Sequence, residues 1–209
     1  MGRNLNPKCK QCRRTGQKLF LKGERCNSPK CAMVKRNFPP GAHGSNGYPR
    51  LTDYGKQLME KQKAKKIYHL METQFKNYFQ KASKSKGNTE GVLLELLEMR
   101  FDNIVYRLGI APSRDLARQL ISHKHFLINS KSVNIPSYQL KIGDIITIKN
   151  KSKDLKIFSN LKESLKKAEP SSWLILDYSK LEAKVVDKPK LEEAKGEFDP
   201  KLVVEFYSK

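Results

Sequence analysis

A chain of 209 residues has room for one or two compact domains, and its 38% hydrophobic content supplies a real core, which excludes a purely basic tail. Lys and Arg number 42 against 21 Asp and Glu, a formal charge of +21 that seeks a polyanion: nucleic acid or an anionic membrane surface. No stretch approaches the roughly 20 apolar residues of a spanning helix, and the opening MGRNLNPKCKQCRRTG has no apolar segment behind its basic residues, so we expect a soluble intracellular protein without a signal peptide.

Residues 1–50 hold 12 Lys/Arg against the single acid Glu24, are rich in Gly, Pro, Asn and Cys, and show almost no apolar period. They read as a basic arm, with PPGAHGSNGYPR (39–50) a loop that no regular helix can hold. All four cysteines lie here: Cys9 and Cys12 with two residues between, a gap of thirteen, then Cys26 and Cys31 with four between. Two close pairs separated by such a loop suit tetrahedral thiolate ligation, each pair forming a knuckle. Lys8, Lys10, Arg13, Arg14 and Arg25 can stabilise the thiolates. Two disulfides or four unrelated thiols are the plainer alternatives, and an intracellular chain disfavours the disulfides. An iron–sulfur cluster is a minor rival to zinc, because four thiolates suit both. With every ligand drawn from the protein the site is structural.

Thr52 or Asp53 can cap a helix through residues 54–68, with Tyr54 and Leu58 inside and Lys56, Lys61, Lys63, Lys65 and Lys66 on its other faces. That lysine stripe favours phosphate contact over a merely solvated face, because basic segments flank it. A second helix over Glu72–Ala82 places Phe75, Tyr78 and Phe79 inwards, and 81–91 is a polar break. Residues 92–108 follow the i, i+3, i+4, i+7 rule of a buried helix or helix pair ended by Gly109. Ser113 caps a short helix with Leu116, Ala117, Leu120 and Ile121 in the core, leaving Arg114, Arg118 and Ser122 on another face as phosphate binders beside Gln119. Strand-like runs follow at 126–129, 132–134 and 145–148, the last entered through Gly143–Asp144. Asn129 and Lys131, in the turn after the first, extend the basic surface. Ser152 can cap a helix with Leu155, Phe158, Leu161 and Leu165 on one side. WLILDY (173–178) and AKVVD (183–187) read as strands, and Asp199–Pro200 opens a closing helix. The four histidines make no metal spacing, and no nucleophile–base pair, phosphate loop or carboxylate dyad is present, so we read no catalysis.

The cysteine pairs, PPGAHG (39–44), LTDYGKQLMEKQKAKKIY (51–68), LLELLEMRFDNIVYRLGIAPSRDLARQLISHKHFLIN (93–129), PSYQLKIGD (136–144) and the closing LVVEFYS together resemble small-subunit ribosomal protein four in its zinc-containing bacterial or organellar form. The resemblance implies an α+β fold in four parts. A zinc-bound arm occupies 1–45 and a helical domain 46–90. An α+β domain at 91–187 contains a helix–turn–β RNA-binding module at about 99–160 with a small, mostly antiparallel sheet. A terminal segment, 188–209, packs back on the helices. It implies a structural, non-enzymatic constituent of the small subunit that binds the 5′ part of ribosomal RNA early, nucleates assembly of the subunit body, and influences decoding accuracy. Implied partners are that RNA, neighbouring small-subunit proteins (protein five above all) and messenger RNA near its entry path, with one structural zinc as cofactor, no membrane and no homo-oligomer.

The expected RNA contacts are Arg3, Lys8, Arg13, Arg14, Lys22, Lys35, Arg36 and Arg50 in the arm, then Lys56, Lys61, Lys65 and Lys66. In the module they are Arg100, Arg107, Ser113, Arg114, Arg118, Gln119, Ser122, His123, Asn129 and Lys131. Glu205, Phe206 and Tyr207 are the expected protein contact, since acidic residues suit a basic neighbour better than phosphate. Two positions depart from the module's usual pattern: Lys124 stands where glycine follows the helix, and Asn129–Ser130 replaces an Asn-Gly turn. A left-handed backbone there costs each non-glycine on the order of 1 kcal/mol. The competing classes are an RNA-modifying enzyme carrying the same module and a zinc-dependent nucleic-acid-binding regulator.

Overall fold

The computed structural model describes residues 4–48, 50–153, 155–159, 171–177, 181–190 and 197–208. Two compact units result, one formed by Met1–Leu94 with Ala194–Lys209 and the other by Glu95–Glu193.

In the first unit, α1 (Lys8–Thr15) is a helix within the arm, where the sequence shows no apolar period. Its signals are punctuation: Pro7 precedes it and Gly16, at φ 70°, ends it in the left-handed conformation. Two short helical turns, α2 (Glu24–Asn27) and α3 (Ala32–Lys35), each carry or follow a cysteine. The 39–50 segment is irregular apart from a single 3-10 turn at Gly44–Asn46. Arg13 fixes that segment, donating from Nε to the Phe38 carbonyl at 2.9 Å and from a terminal nitrogen to that of Pro39 at 3.2 Å.

Helix α4 (Asp53–Ile67) starts where Thr52 accepts a hydrogen bond from Gly55 N–H. Its inner face is Gln57, Lys61, Ala64 and Ile67 rather than Tyr54 and Leu58; Tyr54 is exposed and Lys61 is buried. Lys61 tolerates burial because Glu72, at the start of α5 (Glu72–Lys84), accepts from its ammonium at 2.8 Å. Phe75 and Tyr78 of α5 are buried. The closing helix α11 (Pro200–Tyr207) is capped by the Asp199 carboxylate, which accepts from Lys201 N–H at 2.9 Å, and it packs on α4. Tyr207 stacks on Phe79 with ring centroids 4.7 Å apart and donates its hydroxyl to Glu72 at 2.8 Å.

The second unit receives the end of α6 (Thr89–Glu98), then α7 (Phe101–Arg107) and α8 (Arg114–Ser122), which pack on each other. Its strands are β1 (Phe126–Ile128), β2 (Lys131–Ser132), β3 (Ile145–Ile148), β4 (Leu174–Asp177) and β5 (Glu182–Val185). They form one antiparallel sheet in the order β2-β1-β3-β5-β4. Alternation sends Ile146, Ile148, Leu174, Leu176, Ala183 and Val185 into a core shared with Phe101, Ile104, Leu120, Phe126 and Trp173. Where one helix from Ser152 seemed possible, two turns occur instead: α9 (Asn150–Lys153), with Ser152 buried inside it, and α10 (Lys156–Ser159). Leu161 and Leu165 lie outside the described residues. The chain is thus α+β, helical with a small antiparallel sheet.

Both departures from glycine sit in the strained region: Lys124 at φ 62° and Ser130 at φ 66°. Asn129, at φ 47°, is better suited to that conformation. Substituting Ser130→Gly therefore raises stability by about 0.5–1 kcal/mol, the relief of strain being partly offset by glycine's larger unfolded-state entropy. Urea unfolding should show a higher midpoint for Ser130→Gly and no gain for Ser130→Ala, which keeps a Cβ.

Candidate nucleic-acid interface and thiol site

Two groups of expected RNA contacts have different fates. In the second unit the arginines turn inward. Arg100 is fully buried and grips Asp102 with two hydrogen bonds, 3.0 Å from Nε and 2.7 Å from a terminal nitrogen. Arg118 lies 3.6 Å from the same carboxylate. Arg107 makes a matching pair with Glu98, at 3.0 and 2.9 Å, and Asn103 donates to Glu98 at 2.7 Å. Arg114 donates to the Asn103 side-chain oxygen at 2.8 Å and lies over the Tyr106 ring, 4.4 Å from its centroid. Arg114 and Arg118, expected on an outer face, are 7% and 6% exposed. The forked guanidinium that suits phosphate suits a buried carboxylate equally well, and Glu98 and Asp102 lie within reach.

Ser113 is spent as the cap of α8, accepting from Leu116 N–H at 3.3 Å. Asn129 locks the neighbouring turn, donating to Asp144 at 2.8 Å and accepting from Ile145 N–H at 3.0 Å. Exposed in the module are Gln119, Ser122, His123 and Lys131, joined by Lys124, which sequence reading treated only as a turn residue. They occupy the end of α8 and the β1–β2 hairpin, with an acid, Asp144, held against Asn129 in the hairpin turn.

In the first unit Arg14, Lys22, Lys35, Arg36, Arg50 and Lys56 are exposed, whereas Lys61 is buried and Lys65 is bound to Glu72 at 2.9 Å. Arg3 lies outside the described residues. Lys8 is half-buried, its ammonium 3.0 Å from His69 Nδ1, and Arg13 is spent on the loop carbonyls and the Phe38 ring. Burial pushes the Glu72 carboxyl upward, but hydrogen bonds from Lys61, Lys65 and Tyr207 outweigh it and hold it at about 2. The lysine stripe is thus partly neutralised from within, Lys56 also pairing with Asp53 at 2.9 Å, and the arm carries most of the outward charge. Burial holds Lys66 below the usual lysine range, with Arg14 and Lys65 adding like-charge repulsion against a weaker opposing pull from Cys12.

Glu205, Phe206 and Tyr207 make their contacts inside the chain. Gln57 donates to Glu205 at 2.9 Å, Phe206 packs on Tyr54, and Lys61 lies 4.8 Å from the Phe206 ring centroid.

The four cysteines, thirteen and more residues apart between pairs, line one small cavity of about 20 Å³ with Leu21 and Met33, and none forms a disulfide. Lys22 N–H points at Cys26 Sγ at 3.3 Å. Burial pushes the Cys12 thiol above its ordinary value; a backbone hydrogen bond from Leu19 opposes this, and Cys26, Cys9 and Cys31 push it further. Four thiolates so placed repel one another, and a soft divalent cation relieves the repulsion. Among the described residues no three His, Cys, Asp or Glu side chains stand as a finished metal site, although the four cysteines line one cavity.

Residues 3–98 match the family model described as the ribosomal protein S4/S9 N-terminal domain, and residues 99–146 match the S4 domain. Along its whole length the chain is 47% identical to the small ribosomal subunit protein uS4 of Heliobacterium modesticaldum. It is 49% identical to that of Caldicellulosiruptor saccharolyticus and 47% identical to that of Thermus thermophilus, covering 100% of both chains each time.

Proposed function

The chain belongs to the small ribosomal subunit protein uS4 family, and from that membership we propose how it serves the ribosome. It is a structural constituent of the small subunit, an RNA-binding protein and not an enzyme. Our reading is that it binds the 5′ region of small-subunit ribosomal RNA early, nucleates the subunit body, and contributes to decoding accuracy beside protein five and the messenger path. The observation that carries the reading is the strip Gln119, Ser122, His123, Lys124 and Lys131, exposed polar and basic side chains with no acid among the five, presented by a helix pair stapled through Arg118–Asp102 and Arg114–Asn103. Asp199, exposed at the start of α11, gives the C-terminal end an acid to meet a basic neighbouring protein. Competition at one salt concentration between the 5′ segment of ribosomal RNA and duplex DNA of equal length tests it. Ribosomal RNA should win by a wide margin, and equal affinity would indicate an unspecific polyanion binder.

The thiol cavity supports one structural zinc held by Cys9, Cys12, Cys26 and Cys31, with Lys22 and Leu19 backbone groups steadying the sulfurs. Iron–sulfur ligation is the rival. Metal analysis of protein purified without chelator should give one zinc and no iron per chain; a metal-free protein with four titratable thiols sinks the assignment. Cys26→Ser should release the metal and loosen α1 to α3. Trp173, the only tryptophan, sits in the second unit's core and its fluorescence should not change.

A further inference from the structure

Asn46 and Gly47 form the only Asn-Gly pair in the sequence, and both are exposed. They close the 3-10 turn Gly44–Asn46, where Gly47 N–H donates to the Gly44 carbonyl across 3.2 Å. The turn is pinned on either side to Arg13. The Arg13 guanidinium holds the Phe38 and Pro39 carbonyls, and its own carbonyl accepts from the Tyr48 hydroxyl at 2.7 Å. Gly44 is buried so closely on Pro39 that a Cβ there would stand 1.9 Å from the Pro39 oxygen. Gly47, at φ 88°, has nothing within 4 Å of the place a Cβ would take. The Asn46 carboxamide and the next backbone nitrogen therefore meet in open water, with no side chain at position 47 to hinder their approach.

Asn129 is a control within the same chain. It is exposed too and precedes a small residue, Ser130, yet both ends of its carboxamide are bound, to Asp144 and to Ile145 N–H. We propose that Asn46 is a site of spontaneous covalent modification, in which the chain attacks itself and water completes the reaction. The Gly47 nitrogen bonds to Asn46 Cγ, the Cγ–Nδ2 bond breaks, and Nδ2 leaves as ammonia with the proton that the Gly47 nitrogen gives up. The cyclic imide then adds water at either of its carbonyl carbons. Opening at Cγ yields aspartate; opening at the main-chain carbonyl yields isoaspartate, whose backbone runs through Cβ and Cγ. Both products place a carboxylate in the run from Arg25 to Thr52, which otherwise holds no acid. Isoaspartate also lengthens the backbone by one C–C bond, about 1.5 Å, between two pins that share Arg13. Tyr48 then slips from the Arg13 carbonyl and uncovers Gly16 at the end of α1. The pair acts as a clock, because chains that wait in solution lose the amide.

The test warms the full chain at neutral pH, digests it with trypsin and follows the 37–50 peptide by mass, fragment ions separating Asn46 from Asn37. Asn46 should turn acidic while Asn129 lags on the order of a hundredfold, the cost of holding reacting atoms out of line. In urea, which frees Asn129, that gap should narrow. A carboxyl methyltransferase specific for isoaspartate should label the aged chain and leave aged Asn46→Ser at background. Tyr48 should react faster with a phenol-nitrating reagent in the aged chain than in fresh Asn46→Asp, which gains the charge without the extra bond. Reaction of Asn46 in urea but not in the folded chain overturns the proposal, because the turn would then lock the amide. Equal folded-state rates for Asn46 and Asn129, or undiminished methylation of Asn46→Ser, also overturn it. Unchanged Tyr48 reactivity in methyl-labelled chains overturns the loss of the pin.

Discussion

Replacing Asp102 with Ala will lower the stability of the second unit by about 3–5 kcal/mol, the usual loss when one partner of a buried ion pair is removed. Arg100 has no exposed surface and donates two hydrogen bonds to this carboxylate, with Arg118 the next cation at 3.6 Å. Without Asp102 two buried guanidinium groups lose the carboxylate that they share. At about 2–4 °C per kcal/mol for a chain of this size, the melting temperature should fall on the order of 10 °C. Trp173 fluorescence follows this unit alone, since no second tryptophan contributes. Asp102→Asn keeps an acceptor but not the charge and should fall between. A melting shift of about 1 °C or less for Asp102→Ala would mean that the arginines relax to water at little cost, and that α7 and α8 do not depend on the pair.

Affinity for ribosomal RNA should collapse with salt. Contacts to about six phosphates imply a loss on the order of a thousandfold between about 50 and 200 mM. The arm's +11 and the module strip are ample for that number. The placement of the arginines changes which variants probe it. Arg114→Ala and Arg118→Ala act first on stability, because these side chains staple α7 to α8. The steepness belongs to exposed cations such as Lys124, Lys131, Arg14 and Lys22. An affinity that varies less than about tenfold over that range would remove phosphate contact as the main driving force.

Much of the architecture is legible from local chemistry. Ser113 and Thr52 announce their helices by capping, Asp199–Pro200 announces the last one, and the alternation in IITI fixes which face of β3 is inside. The cysteine spacing brings four thiols to one cavity. What periodicity misreads is charge with a hidden partner. A lysine at position 61 looks like solvent until Glu72 and the ring of Phe206 are placed around it, both supplied by other helices. The same holds for Arg100, Arg107, Arg114 and Arg118, whose acids stand nearby in EMRFDN but are recognisable as partners only once α7 and α8 are packed. Helix α1 is hidden for the opposite reason: it buries Gln11, Cys12 and Thr15, which carry no apolar period.

The first unit is discontinuous in sequence, completed by α11 at the far end of the chain. Synthesis proceeds from the N-terminus at about 5–20 residues per second. The 99 residues of the second unit are therefore synthesised before α11, so α4 and α5 are made well ahead of the helix that covers them. During that interval Lys61 and Phe79 have no Phe206 or Tyr207 beside them, and Glu72 lacks the Tyr207 hydroxyl. Maturation of the arm-bearing half thus awaits the synthesis of α11. A released chain cut short of Pro200 would keep every residue of the second unit and leave α4 and α5 uncovered, and proteases should distinguish the two units.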